Sequence, residues 1–244
     1  MPSHSETGHA KNVANLETLI TFCTGYGASY NPSNPNIDIP HLTRKYTDAV
    51  QTLSQVNSDL PPWQNAVNTR EELFKPFSKL CTKVFNAVEA SEVSEEYIKD
   101  VKTIIRKLQG RRATPKKEDN PTTTTDESTQ SHSASQMSFD QRIENFDKLI
   151  DLLSSNPKYV PNEVDVQVNT LTNLRNEMVN SNTSVKNVYT TLSNSRIKRN
   201  VELYDPTTGL VKLAGDVKKY VKSVFGATSV QFRQISDLKF TTPR

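Results

Sequence analysis

The chain has 244 residues, 34% of them apolar and 23% charged, with a formal net charge of +3 and a mean hydropathy of −0.63. That length suits one large domain or two units of roughly a hundred residues. No apolar run approaches the ~20 residues that a bilayer crossing needs. Seven glycines argue against a loop-rich or β-rich protein, and the polar opening from Met1 to Glu6 lacks the layout of a signal peptide, so a cytoplasmic protein is expected.

Residues 1–11 read as a disordered tail. From Leu42 the apolar positions Tyr46, Ala49, Leu53, Val56, Leu60, Trp63, Val67, then Arg70 and Phe74, follow alternating steps of four and three. This is the seam of helices packed side by side. Pro61-Pro62 predicts a kink or break there, because proline removes amide donors and disfavours helix at the preceding residue. Pro76 marks the turn into a helix carrying Phe77, Leu80, Val84 and Val88, and Tyr97, Val101, Ile105 and Leu108 mark another. Residues 113–136 hold no aromatic and no large aliphatic residue, which predicts a flexible polar linker over 113–137.

Ser138 opens the next helix. With no proline at the corresponding place, one long helix is expected from about Asn162 to Leu203, and Pro206 marks the turn after it. Leu210, Leu213, Val217, Val221 and Val224 then form a helix that Gly226 ends. Thr228-Ser229-Val230-Gln231 opens the last, with Phe232, Ile235 and Leu238 facing inward.

These two halves are the same pattern written twice. Asn15-Leu16-Glu17-Thr18-Leu19-Ile20 matches Asn145-Phe146-Asp147-Lys148-Leu149-Ile150, and Tyr30-Asn31-Pro32 matches Tyr159-Val160-Pro161. Leu73-Phe74-Lys75-Pro76 matches Leu203-Tyr204-Asp205-Pro206, with the register shifting only after Leu80. No segment shows strand alternation. The expected fold is all-α, two tandem antiparallel helical bundles, repeat 1 over 12–112 and repeat 2 over 138–244, joined by the disordered linker.

The repeat also sorts the candidate sites. Cys23 aligns with Leu153 and Cys81 with Val211, so these thiols are expected to fill core space with Trp63 and Leu192. His4, His9, His41 and His132 have no counterparts in the second copy, three of them falling in the tail or linker, and neither copy carries a metal-ligand set or a cofactor loop. Arg70 and Arg199 fall on the seam in both copies, each five residues after an asparagine, Asn65 and Asn194. They are expected to be partly buried and bonded to a carboxylate or helix-end carbonyls within their own repeat; the functional alternative is a duplicated anion site. The net charge is +1 over 1–112, −2 over 113–137 and +4 over 138–244. Arg111 and Arg112 at the end of repeat 1, and Lys198, Lys218, Lys219 and Lys222 in repeat 2, are the candidate phosphate contacts.

Several segments carry a resemblance: Trp63-Gln64-Asn65-Ala66-Val67-Asn68, Leu108-Gln109-Gly110-Arg111-Arg112-Ala113-Thr114-Pro115, Arg142 to Ile150 and Tyr220 to Ala227. With Tyr30-Asn31-Pro32 they resemble a group of uncharacterised, internally duplicated all-helical proteins from Bacteroidota genomes. The resemblance implies a bacterial, duplicated helical protein and carries no functional residues. The functional expectation is a non-enzymatic helical protein acting through protein–protein contacts or self-association. The alternative is a nucleic-acid-associated protein using the basic face of repeat 2 and the basic end of repeat 1.

Overall fold

The computed structural model describes residues 4–111 and 137–242, with the side chains of 4–7 left aside. Among these described residues eight α-helices stand in the order α1 (His4–Gly25), α2 (Ile39–Phe74), α3 (Phe77–Glu89), α4 (Glu95–Leu108), α5 (Phe139–Ser154), α6 (Val168–Tyr204), α7 (Leu210–Phe225) and α8 (Val230–Ser236). Short 3-10 turns at Gly27–Ser29, Pro35–Ile37 and Val164–Val166 complete the elements. Among the described residues there is no strand, so the fold is all-α, and no helix is long and apolar enough to cross a membrane.

Local signals explain the helix ends. Ser94, Ser138 and Ser229 cap α4, α5 and α8, each side-chain oxygen accepting from the backbone N–H three residues on. Gly226, at φ +89°, closes α7. Along α2 the seam is as spaced: Leu42, Ala49, Val56 and Phe74 are buried, and Tyr46, Leu53, Leu60, Trp63, Val67 and Arg70 half-buried. In α6 the seven-residue series Leu171, Met178, Val185, Leu192, Arg199 is buried throughout.

The contacts group the chain into two compact units that do not follow the sequence repeats. Unit 1 comprises Met1–Gln64 and Asn187–Arg244, and unit 2 comprises Asn65–Lys186. Unit 1 therefore joins α1 and most of α2 with the end of α6, α7 and α8. Its core includes Leu16, Leu19, Leu42, Leu203, Leu213 and Ile235. Unit 2 joins the end of α2, α3 and α4 with α5 and the start of α6, around Phe77, Val84, Leu108, Phe146, Leu149 and Leu171. The expected division into one bundle over 12–112 and another over 138–244 is not how the cores form. Each core takes apolar faces from both repeats, and α2 and α6 each contribute to both units.

Four further expectations are corrected. The tail predicted over 1–11 is helical from His4, and His9 is only 2% exposed, because its ring and the neighbouring Asn12 find hydrogen-bond partners inside unit 1. Pro61-Pro62 does not break α2. Both prolines, and Asn57 and Ser58 whose carbonyls lose their amide donors, are exposed, so water replaces the missing bonds. The register shift comes earlier than Val84. The buried series Phe77, Cys81, Val84, Val88 on α3 corresponds to Leu210, Ala214, Val217, Val221 on α7, which places the extra residues in the turn before α7. Val211 is consequently half-buried, as is Trp63, whereas Cys23, Cys81, Leu153 and Leu192 are buried as expected. The linker expectation falls outside the described residues, apart from the exposed Met137.

That turn is built by Asp205. Its Oδ1 accepts from the backbone N–H and the hydroxyl of both Thr207 and Thr208 at 2.6–3.0 Å, which holds the carboxyl well below the usual carboxylate range. Pro206 sits inside the turn, and Gly209 is the N-cap of α7.

Candidate functional site

Arg70 lies near the end of α2 in unit 2. Its Nη1 donates to Asn182 Oδ1 at 2.9 Å, and its guanidinium stacks on the Phe139 ring at 3.9 Å. Asn182, only 4% exposed on α6, donates onward to Asp140 Oδ1 at 2.7 Å, and Lys186 pairs with the same oxygen at 2.9 Å. Arg70 thus reaches a carboxylate only through an asparagine, and that asparagine belongs to the other repeat. This corrects the expectation of a partner within its own repeat.

Arg199, 5% exposed on α6 in unit 1, donates through Nε and Nη2 to Asn200 Oδ1 at 3.1 and 2.9 Å. Asn65 and Asn194 are exposed and do not join either guanidinium. The two arginines belong to different units, so each is read in its own packing.

The basic candidates are mostly engaged in holding the fold. Lys218 Nζ donates to the carbonyls of Ser236 and Leu238 at 3.0 and 2.5 Å, closing the end of α8, and lies 5.5 Å from the Phe240 ring. Burial holds its pKa below the usual lysine value. Lys219 and Lys212 both pair with Asp216, and Lys222 stands over Phe232 at 5.7 Å. Lys198 and Arg111 are exposed, and Arg112 lies outside the described residues. Asp216 therefore offsets one of the four lysine charges of α7, and the helix-end carbonyls tie down Lys218.

Sequence reasoning passed over two clusters. In unit 1, Asn12 is fully buried, bonded to Tyr204 Oη and to the backbone of Thr241, and His9 Nδ1 lies 2.5 Å from the same phenol. Asn15 adds a bond to the Lys239 carbonyl at 2.7 Å. In unit 2, Arg142 packs over Phe74 and Phe77 at 4.9 and 5.2 Å beside an open cleft of about 560 Å³.

Cys23 and Cys81 are free and buried, and desolvation pushes both thiols up to about 12, so neither is a nucleophile near neutral pH. Among the described residues no three His, Cys, Asp or Glu side chains gather as metal ligands.

A last feature of unit 1 is a surface almost without charge. Over 49–64 of α2 the one Asp, Glu, Lys, Arg or His side chain is Asp59, and 187–195 of α6 has none. Asp59 is turned to structural use: Oδ2 accepts from Ser195 at 2.5 Å and Oδ1 from Gln55 at 2.9 Å. The same helices expose Val50, Tyr189, Ile197 and Val201 at 42–58%.

No protein-family model, no curated protein and no solved structure matches the chain.

Proposed function

We propose that the chain is a non-enzymatic helical protein that works by pairing with a second copy of itself through the uncharged surface of α2 and α6 in unit 1. The observation carrying this reading is that surface: twelve or more exposed positions of Val, Gln, Asn, Ser, Thr, Pro and Tyr, with the lone carboxylate occupied, in a chain that is 23% charged. Charged side chains are depleted where protein surfaces meet, and Tyr is enriched there. A face without charge has no sign by which to select a charged partner. A second copy brings a matching neutral face at no like-charge cost.

Sedimentation velocity across a micromolar concentration series tests the reading. A concentration-dependent dimer is expected, and Tyr189→Asp should hold the chain monomeric with an unchanged circular-dichroism spectrum. A monomer at every concentration would remove the proposal. The buried thiols suit a reducing cytoplasm, which is the compartment we assign.

The architecture behind this is a duplicated antiparallel bundle whose two copies have exchanged halves. Three facts support it. Each copy runs helix, 3-10 turn, long helix, helix, helix, with a second 3-10 turn at Gly27–Ser29 in the first copy. Tyr30 Oη donates to the Ile37 carbonyl at 2.6 Å, as Tyr159 Oη does to Val166 at 2.7 Å. Within unit 1, Lys45, Asp59 and Trp63 of α2 meet Glu202, Ser195 and Tyr189 of α6 in falling order, which is an antiparallel course. Separately expressed halves split in the linker should each fold poorly and recover helical structure on mixing. Halves that melt cooperatively alone, as monomers, would sink the exchange.

A further inference from the structure

We propose that unit 2 carries a binding site for a small monocarboxylate with an apolar body, in the cleft between the end of α2 and the first turns of α5. The cleft measures about 560 Å³, a size typical of small-ligand sites, which run roughly 300–1,000 Å³. Phe139, half-buried, supplies the aromatic surface of the cleft, its ring edge to face at 4.9 Å with the buried ring of Phe74 behind it.

Arg142 lines the same cleft and is the group that asks for a partner. Its Nη2 makes one long bond, 3.3 Å to the Phe74 carbonyl, and its Nε is buried with no partner. Among the described residues no carboxylate pairs with it. Desolvation holds its pKa below the ordinary guanidinium value, a sign that its charge is poorly compensated. A guanidinium presents a planar fork that carboxylate oxygens match, and a ligand carboxylate in the cleft would compensate this half-buried charge without needing the buried Nε. Arg70, on the Phe139 ring, has a second buried Nε without a partner.

The rim sets the ligand's charge. Lys75, Glu71 and Glu72 line the opening, so with the two arginines the neighbourhood has one positive charge in excess. One carboxylate balances it. A phosphate or polyphosphate brings a second negative charge against Glu71 and Glu72 and is disfavoured. The apolar body rests on Phe139, where burial of its surface adds to the affinity.

Calorimetric titration of the full chain with 3-phenylpropionate, 3-phenylpropanol and inorganic phosphate tests the assignment. Saturable binding of 3-phenylpropionate is expected, with the alcohol weaker by about tenfold or more for want of the charge-assisted bonds, and no heat from phosphate. Arg142→Gln should abolish binding and Arg142→Lys keep part of it. Glu71→Gln with Glu72→Gln should tighten it, and Lys198→Gln, exposed on α6, should leave it unchanged. The two rim glutamates are exposed, so their variant stays informative if Arg142→Gln fails to fold. Absence of binding, equal binding of acid and alcohol, tighter binding of phosphate, or indifference to the rim variant would each overturn the proposal.

Discussion

Asn12 holds the backbone of Thr241 from both sides: its Oδ1 accepts the Thr241 N–H at 2.9 Å and its Nδ2 donates to the Thr241 carbonyl at 2.7 Å. A first-helix side chain thus clasps the last described residues of the chain, 229 positions away. Because Asn12 is fully buried, Asn12→Ala strands both groups of Thr241, at a cost of about 1–3 kcal/mol. A urea midpoint lowered with unchanged slope is the expected result. A wild-type midpoint would show the C-terminal segment to be energetically idle.

Two glycines should respond in opposite directions. A Cβ on Gly209 would lie 2.5 Å from Asp205 N and O, backbone atoms of the turn that cannot step aside, so Gly209→Ala should destabilise by an amount on the order of 1–3 kcal/mol. Gly215 is inside α7 with nothing within 4 Å of such a Cβ, and Gly215→Ala should stabilise by about 0.5–1 kcal/mol. Thermal melts of both variants, recorded side by side, check the pair.

Arg70 and Asn182 should be energetically coupled. A double-mutant cycle with Arg70→Ala and Asn182→Ala is expected to give an interaction of roughly 0.5–2 kcal/mol from their shared hydrogen bond, the unstacking of Phe139 cancelling because it occurs with or without Asn182. Additive losses would mean that the 2.9 Å bond contributes nothing beyond packing.

Lys218→Gln separates a structural lysine from a phosphate contact. With its two carbonyl bonds lost, the variant should melt lower, and any weak association with DNA should keep its salt dependence. An unshifted melt together with lost DNA binding would restore the nucleic-acid reading.

Alkali should unfold the protein through its buried acids. Cys23 and Cys81 rise from 9.0 to about 12 on folding, and Tyr159 from 10.0 to about 12, each mainly through desolvation. Folded protein therefore binds these protons more tightly than unfolded protein. The stability they contribute is complete below pH 9 and is lost progressively as pH rises toward 12. Guanidinium midpoints from neutral pH to about pH 11 should fall, and Cys81→Val should flatten the decline.

The helical class was legible because burial on a helix repeats at a fixed spacing, and the seam from Leu42 to Phe74 shows it directly. The serine caps were legible for the same local reason. What was hidden was long-range. A series such as Phe77, Cys81, Val84 declares that a face is buried but carries no sign of which repeat covers it. His9 looked like a tail residue, and Asn12 like the polar first residue of repeat 1, because neither shows its partner, Tyr204 or Thr241, until the chain is folded. Arg70 was placed correctly on the seam, while its partner Asn182 stood 112 positions away.

The composition of the two units has a consequence for biosynthesis. Asn65–Lys186 leaves the ribosome as one uninterrupted stretch, so every segment of unit 2 can meet its neighbours during translation. Met1–Gln64 has no such opportunity, since its complement begins at Asn187. At ~5–20 residues per second the nascent α1 and α2 wait on the order of ten seconds with apolar faces such as Leu16, Leu19 and Leu42 uncovered. During that interval these faces are a natural substrate for holding chaperones, and the amino-terminal quarter of the chain is where aggregation would begin if elongation stalled.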